Sequence, residues 1–490
     1  MAIPRFWIAI VFLVVACSIF AMIVFTPTKT LLLAGPPVSW NPAASHNAEI
    51  EAIPESDRAW PIYCEARGRL QPLLDKISDS SDPMDKIRPV DPDWPQVVKL
   101  LEQAEPVLSL LREAGNRSRM GKMWYDAPDP IYLAVSKAYF DPGEPYEYSP
   151  NPALLDLYLD DWKMFRSLAR TLVSDARFAV SIGDVERTTD DLVALSEMAR
   201  LIPEPPSSEM RTGLANATGI MLFDLIGEIA EAGTPMGEAD WARLNEALRR
   251  MAEQRPVASS FLDMRTLVWE DTLRRIFLPD GRVTRAGIWH AVQLFEPDSP
   301  MPELEDPSLS WDDIMPSAGL DQALASIHQY QSAFAAVLAD PLSAHDIQLE
   351  VQPIAEHAQW LNPVLTLFNI DLLWTVSIEL RVRTKEQATL LLIAIERHAL
   401  RHSEWPSTLS EIDADLLSST PTDGFTGEPL HYRLTDDGPV IYSVGADRND
   451  DLGRPLLTTD GDAAKPEWLP LDLLDPAAVD GDWVLYPPQD

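Results

Sequence analysis

Along most of this chain apolar positions recur at spacings of three and four, the repeat that keeps side chains on one face of an α-helix. Val97, Leu100, Leu101, Ala104, Val107, Leu108 and Leu111 form one such stripe, with Gly115 placed to stop the helix. Phe165, Leu168, Ala169, Leu172, Ala176 and Ala179 form a second that runs to Gly183, and Leu192, Leu195, Ala199 and Ile202 follow directly. After a PEPP interruption the pattern resumes through Ile220, Leu222, Leu225, Ile226 and Ile229 to Gly233, then through Trp241, Leu244, Leu248 and Met251. Residues 280–320 are rich in Pro and Asp and break the periodicity, which returns over residues 321–338 and 365–400. The stripes predict a mainly α protein of successive antiparallel helix pairs, an irregular α-solenoid or helical bundle without a strict repeat length.

Two stretches depart from this texture. Residues 6–25 carry no charge and are almost wholly apolar; at about 1.5 Å per residue they match a hydrocarbon layer of roughly 30 Å and predict one N-terminal transmembrane helix. Arg5 before the run favours a cytoplasmic N-terminus, with Lys29 on the far side weakening the bias. Two other readings exist: a cleaved signal peptide, and a lipoprotein signal in which Val14, Val15 and Ala16 precede an acylated Cys17. The apolar run continues past Cys17, which favours an uncleaved anchor. Beyond residue 404, the short β-like runs LHYRL and VIYSV alternate with Asp/Gly/Pro turns, the signature of a small α+β module. The organisation expected is therefore an anchor over 1–28, a Pro-rich juxtamembrane linker with the first helices over 29–85, a helical domain over 86–385 and a C-terminal module over 386–490.

Composition narrows the function classes. The net charge of the 490 residues is −37, and no basic cluster offsets it, so the chain would repel phosphate backbones and nucleic-acid binding is excluded. Proline, at 43 residues, is well above its usual share of about 5%, which fits helices joined by stiff connectors. Of the two cysteines, Cys17 lies in the apolar run and Cys64 has no clear base beside it in sequence. No intramolecular disulfide is expected, and Cys64 reads as inert.

Catalytic signatures are weak. There is no Gly-x-Ser-x-Gly elbow, Walker loop or dinucleotide fingerprint. Carboxylate pairs such as Asp160 with Asp161 and Asp190 with Asp191 are frequent and read as solvated helix starts. His398 and His402 stand one helical turn apart with Glu396 nearby, a spacing that could ligate zinc if a third ligand converged. His-Glu-x-x-His is absent, and an ordinary exposed helix face is the preferred reading.

The C-terminal module holds the more specific pattern. EQATLLLIAIERHALRHSEWPSTLSEI reads as a helix, a break at Trp405-Pro406 and a short helix with Ser407 or Thr408 near its cap; TDGFTGEPLHYRL and IYSVGADRNDDLG follow. Asp447, Asn449 and Asp451 present oxygens at positions 1, 3 and 5, as calcium loops do, and Gly453 permits a tight turn. An EF-hand needs Gly at position 6 and Glu at 12, where this chain has Leu452 and Thr458. A solvated acidic turn is the competing reading.

The order of helix, Trp-Pro-Ser, turn, strand and Tyr442-Ser443-Val444-Gly445-Ala446-Asp447 resembles the C-terminal domain of the major pseudopilins of type II secretion systems, over roughly a fifth of the chain. That resemblance implies a pseudopilin-like α+β fold and a calcium site built from Ser443, Asp447 and Asp451 with Asp480 or Asp482. Two departures stand out: the N-terminus lacks the pseudopilin leader and its Gly-Phe-Thr-Leu-Ile-Glu start, and Gly424 stands where proline is usual. The run ARFAVSIGDVERTTDDLVALSEMARLI is loosely similar to tetratricopeptide-type hairpins. The function expected is a non-enzymatic scaffold, anchored through residues 6–25 in a bacterial inner membrane. Its bulk would lie in the periplasm, where it would offer a surface to protein partners and carry a calcium-stabilised module beside secretion or envelope assembly. The alternative is an envelope metal-dependent hydrolase with an acidic cleft.

Overall fold

The computed structural model describes residues 42–75, 84–123, 162–204, 209–255, 260–276, 320–339, 372–417, 420–445, 448–455, 457–458 and 479–488. The expected membrane segment at residues 6–25 lies outside the described residues, as do Cys17, Asp160, Asp161 and Asp447. Among the described residues the protein is mainly helical: α1 (Pro42–Glu51), α2 (Trp60–Leu74), α3 (Trp94–Ala114), α4 (Trp162–Ile182), α5 (Val185–Leu201), α6 (Glu209–Glu231), α7 (Glu238–Gln254), α8 (Ser260–Ile276), α9 (Leu320–Ala339) and α10 (Leu372–His402). The strands are β1 (His431–Thr435), β2 (Gly438–Ser443), β3 (Leu457–Thr458), β4 (Val479–Asp480) and β5 (Trp483–Tyr486).

The apolar stripes become the core as their spacing dictates. On α3, Leu101, Ala104, Leu108 and Leu111 are completely buried, as are Leu168, Ala169 and Ala176 on α4. The chain folds back between successive helices, so that α2 packs on α3, α4 on α5, and α5 on both α6 and α7, with α10 lying across α6 and α7. Two glycines make the reversals. Gly183 and Gly233 take left-handed φ of 73° and 63°, and the next amide in each case bonds back five residues, Asp184 to Ala179 and Thr234 to Ile229. Gly115 ends α3 as its position predicts, with a right-handed φ of −61°. The segment Arg211–Glu231 is long and apolar enough to cross a membrane by length and composition, yet 61% of it is buried inside the protein, as befits a core helix.

Where α3, α4 and α5 meet, two fully buried carboxylates face two arginines. Arg112 reaches Asp175 and Asp191, each at 2.8 Å, and Arg187 holds Asp175 at 2.6 Å. Asp191 is therefore not the solvated helix-start residue that its pairing with Asp190 suggests. Burial, with the adjacent Asp175 carboxylate, pushes its carboxyl well above the usual range, and Arg112 opposes that shift.

The long helix α10 joins the two textures of the chain. Val382, Leu391, Leu392 and Ile395 belong to one core with Leu222 and Ile226 of α6, Leu244 and Leu248 of α7, and Ile412, Leu430, Ile441 and Tyr486 from beyond the helix. The boundary at 385/386 falls inside α10, and apolar packing runs through it. The turn at residues 421–430 closes on the same helix: the Gly424 amide donates to Thr384 Oγ1 at 3.0 Å. A Cβ on Gly424 would stand 2.5 Å from that hydroxyl and 2.7 Å from the Leu380 carbonyl oxygen. Glycine where the pseudopilin pattern has proline is thus matched to a close approach of two backbones, with an N–H that proline lacks.

Two stability measurements follow. Arg112→Ala leaves Asp175 and Asp191 with a lost partner in a dry interface, and should lower the unfolding free energy by about 3 kcal/mol in denaturant titration. Gly424→Ala should cost about 1–3 kcal/mol by overpacking, and Gly424→Pro more, since it also removes the bond to Thr384.

Candidate functional site

The site is assembled at the far edge of the small sheet. β1 and β2 form an antiparallel hairpin closed by Asp436 and Asp437, with Thr435 opposite Gly438. β2 pairs antiparallel with β5, and a register shift between Ile441 and Tyr442 re-aims the end of β2. Residues 448–455 return past β5, where Pro455 bridges to Asp482, while β3 pairs with β4. Gly481, at φ 105°, lets the chain pass close to the Arg454 and Pro455 carbonyls, where a Cβ would clash.

Asp423 organises the inner part of this region, and sequence reasoning missed its role. Only 1% exposed, it accepts from the Phe425 amide at 2.8 Å, the Ser443 hydroxyl at 2.8 Å and the Val444 amide at 3.2 Å. Ser443 Oγ in turn accepts from the Gly445 amide at 3.0 Å. Burial raises the Asp423 carboxyl above its usual range against these bonds. The clue in the sequence was the Thr-Asp-Gly turn itself, whose aspartate can bond the amide two residues on.

The outer part is the acidic turn. Asp482 is completely buried; its Oδ2 accepts from the Gly453 amide at 2.6 Å, and its Oδ1, also buried, has no hydrogen-bond partner among the described residues. Burial raises this carboxyl, hydrogen bonds from the Gly453 and Asp451 amides oppose the rise, and the Asp450 and Asp451 carboxylates add to it. Asp450 accepts from the Tyr442 hydroxyl at 3.1 Å and the Leu452 amide at 2.9 Å, and faces His431 Nδ1 at 3.3 Å. The Tyr442 hydroxyl is pushed up to about 12, by burial and then by Asp450. Asp451 accepts from Arg454 at 3.0 Å and from the Asn449 side-chain amide at 3.2 Å.

The structure thus brings Asn449, Asp451 and Asp482 to one turn, and adds Asp450, which the spacing argument left out. Ser443 lies on the inner side, its hydroxyl directed to Asp423. Asp480 lies in β4, paired with Leu457, and Asp447 lies outside the described residues. The donor set here is oxygen throughout and rich in carboxylate, but the group whose ligand atoms converge within 4.8 Å among the described residues is His398, His402 and Asp413 at the end of α10, not this turn.

The histidine pair needs correction. His398 is 6% exposed, so it does not sit on an ordinary exposed helix face. Glu396, which sequence spacing grouped with it, is a separate feature: burial raises its carboxyl to about 7, and its charge acts on Tyr486 of β5.

Removing the acceptor at the inner site gives a test independent of any ion. Asp423→Ala strands the Ser443 hydroxyl and two backbone amides in a buried turn, and should lower stability by about 3 kcal/mol in denaturant unfolding without calcium, with Asp423→Asn intermediate. Comparison of the chain with known protein families, curated proteins and solved structures returns no match.

Proposed function

We propose that this protein is a scaffold held by residues 6–25 in a bacterial inner membrane as a single-pass protein. Its bulk lies in the periplasm, its irregular solenoid of helix pairs presents a surface to protein partners, and its pseudopilin-like C-terminal module is stiffened by calcium. The anchor rests on the uncharged apolar run at residues 6–25, and the work beside secretion or envelope assembly on the resemblance of residues 386–490 to major pseudopilins.

The observation that carries the calcium reading is the unpartnered, buried Oδ1 of Asp482 beside Asp450 and Asp451. A divalent cation there would be held by Asp451 and Asp482 with Asn449; the resemblance implies Ser443, Asp447 and Asp451 with Asp480 or Asp482. It would offset carboxylate repulsion inside an ordered turn, and so act on stability. Nothing in this reading requires the ion to take part in a reaction.

Fractionation tests the anchor: full-length protein should stay in the membrane pellet until detergent is added, and recovery in the soluble fraction would remove that part of the reading. Melting of the detergent-solubilised full chain tests the ion. Millimolar calcium should raise the melting temperature, the rise should shrink in Asp447→Ala and Asp451→Ala, and it should persist in Glu186→Ala, whose carboxylate is exposed at the start of α5. An unchanged melting curve would mean the acidic turn is held by packing and hydrogen bonds alone.

A further inference from the structure

A second group of ligating side chains lies at the C-terminal end of α10. His398 and His402 occupy the last two turns of α10, one above the other, with ring centroids 4.3 Å apart. Ser403 then takes a left-handed φ of 62° and ends the helix. The chain passes Trp405-Pro406 and a short 3₁₀ turn (Leu409–Glu411), and so brings Asp413 back against the helix end. His402 Nε2 lies 3.2 Å from Asp413 Oδ2, and one ligand atom from each of His398, His402 and Asp413 lies within 4.8 Å of the others. The His398 side chain is buried, and its Nδ1 has no hydrogen-bond partner among the described residues.

We propose that His398, His402 and Asp413 bind one zinc-class divalent ion, with water as the remaining ligand. Two imidazoles and one carboxylate select zinc, cobalt or nickel over calcium and magnesium, which take oxygen sets. With bonds of about 2.0–2.2 Å, tetrahedral ligands stand about 3.4 Å apart, and the His402–Asp413 separation already matches such an edge. Closing the remaining distance falls to His402 and Asp413, whose side chains are 44% and 33% exposed, while His398 is 6% exposed.

The charges around the group permit this. Arg401 approaches Asp413 at 3.2 Å, but it is also held by Asp415 at 2.9 Å and Glu238 at 2.8 Å, so it serves Asp413 as an outer hydrogen-bond partner of the kind that ligating carboxylates carry. Glu411 is engaged elsewhere, accepting from the Ser407 amide at 2.7 Å and its hydroxyl at 2.6 Å. The ion would pin the end of α10 to the segment that leads into the sheet. Three protein ligands with one open position is also the arrangement from which a metal-dependent hydrolase would start.

Cobalt titration of the full chain in detergent tests the site. A saturable visible band of tetrahedral cobalt should appear with one equivalent, be abolished by zinc and survive millimolar calcium. His402→Ala and Asp413→Ala, both at partly exposed positions, should weaken cobalt binding about 100-fold or more and leave metal-free melting close to that of the parent. Asp451→Ala should leave the band unchanged, which separates this site from the acidic turn. Absence of a saturable band, or an identical band in His402→Ala and Asp413→Ala, would overturn the proposal and leave an ordinary histidine–aspartate ion pair.

Discussion

The architecture depends on one helix burying two sides at once. α10 carries apolar or small side chains nearly all round between residues 388 and 395, a pattern that leaves no solvent face. It packs against α6 and α7 of the helical array and against β2 and β5 of the sheet. Some of the polar residues it buries are paired, since Thr384 bonds the Leu380 carbonyl and Glu386 meets Arg255 at 2.6 Å, while His398 Nδ1 has no hydrogen-bond partner among the described residues. Neither the helical array nor the small sheet completes its core without this element, so both chemical groups described above hang from a common support.

The second constraint is charge. A chain with a net −37 has few cations to place, and several sit at joints between helices, where two guanidiniums grip one carboxylate. Asp175 lies between Arg112 and Arg187, Glu197 between Arg200 and Arg250, Glu228 between Arg88 and Arg177, and Glu238 between Arg397 and Arg401. Paired in this way, buried carboxylates avoid the heavy cost of an isolated charge, and the cations are directed where desolvation makes them count. Other carboxylates among the described residues, such as Glu186 and Glu253, are exposed, where repulsion is screened by water and salt.

Much of the helical architecture was legible because burial leaves a 3.6-residue trace: the stripes on α3 to α7 reappear as buried faces, and the β-like runs at 430–434 and 440–444 overlap β1 and β2. What was not legible depends on contacts far apart in sequence. Asp191 looked like its neighbour Asp190 until Arg112, 79 residues away, proved to reach it. Asp423 and Ser443 lie 20 residues apart and meet only because the hairpin between them folds back. His398 looked exposed because its own helix says nothing of what packs on it, and Asp413 joins it only through a turn whose direction is set by Ser403. The burial of Asp482, which sequence spacing cannot show, comes from the return of residues 453–455 past the start of β5.

The contact at Gly424 bears on how such a chain could be put together by recombination. Its amide and its missing side chain are both fitted to the Leu380–Thr384 stretch of α10, so the turn and that helix are complementary surfaces. A crossover between residues 384 and 424 would join a helix selected for one turn to a turn selected for another, and the mismatch would fall on backbone atoms that cannot move aside. A functional exchange would therefore have to carry the segment from about residue 380 onward as one block, longer at its N-terminal end than the sheet.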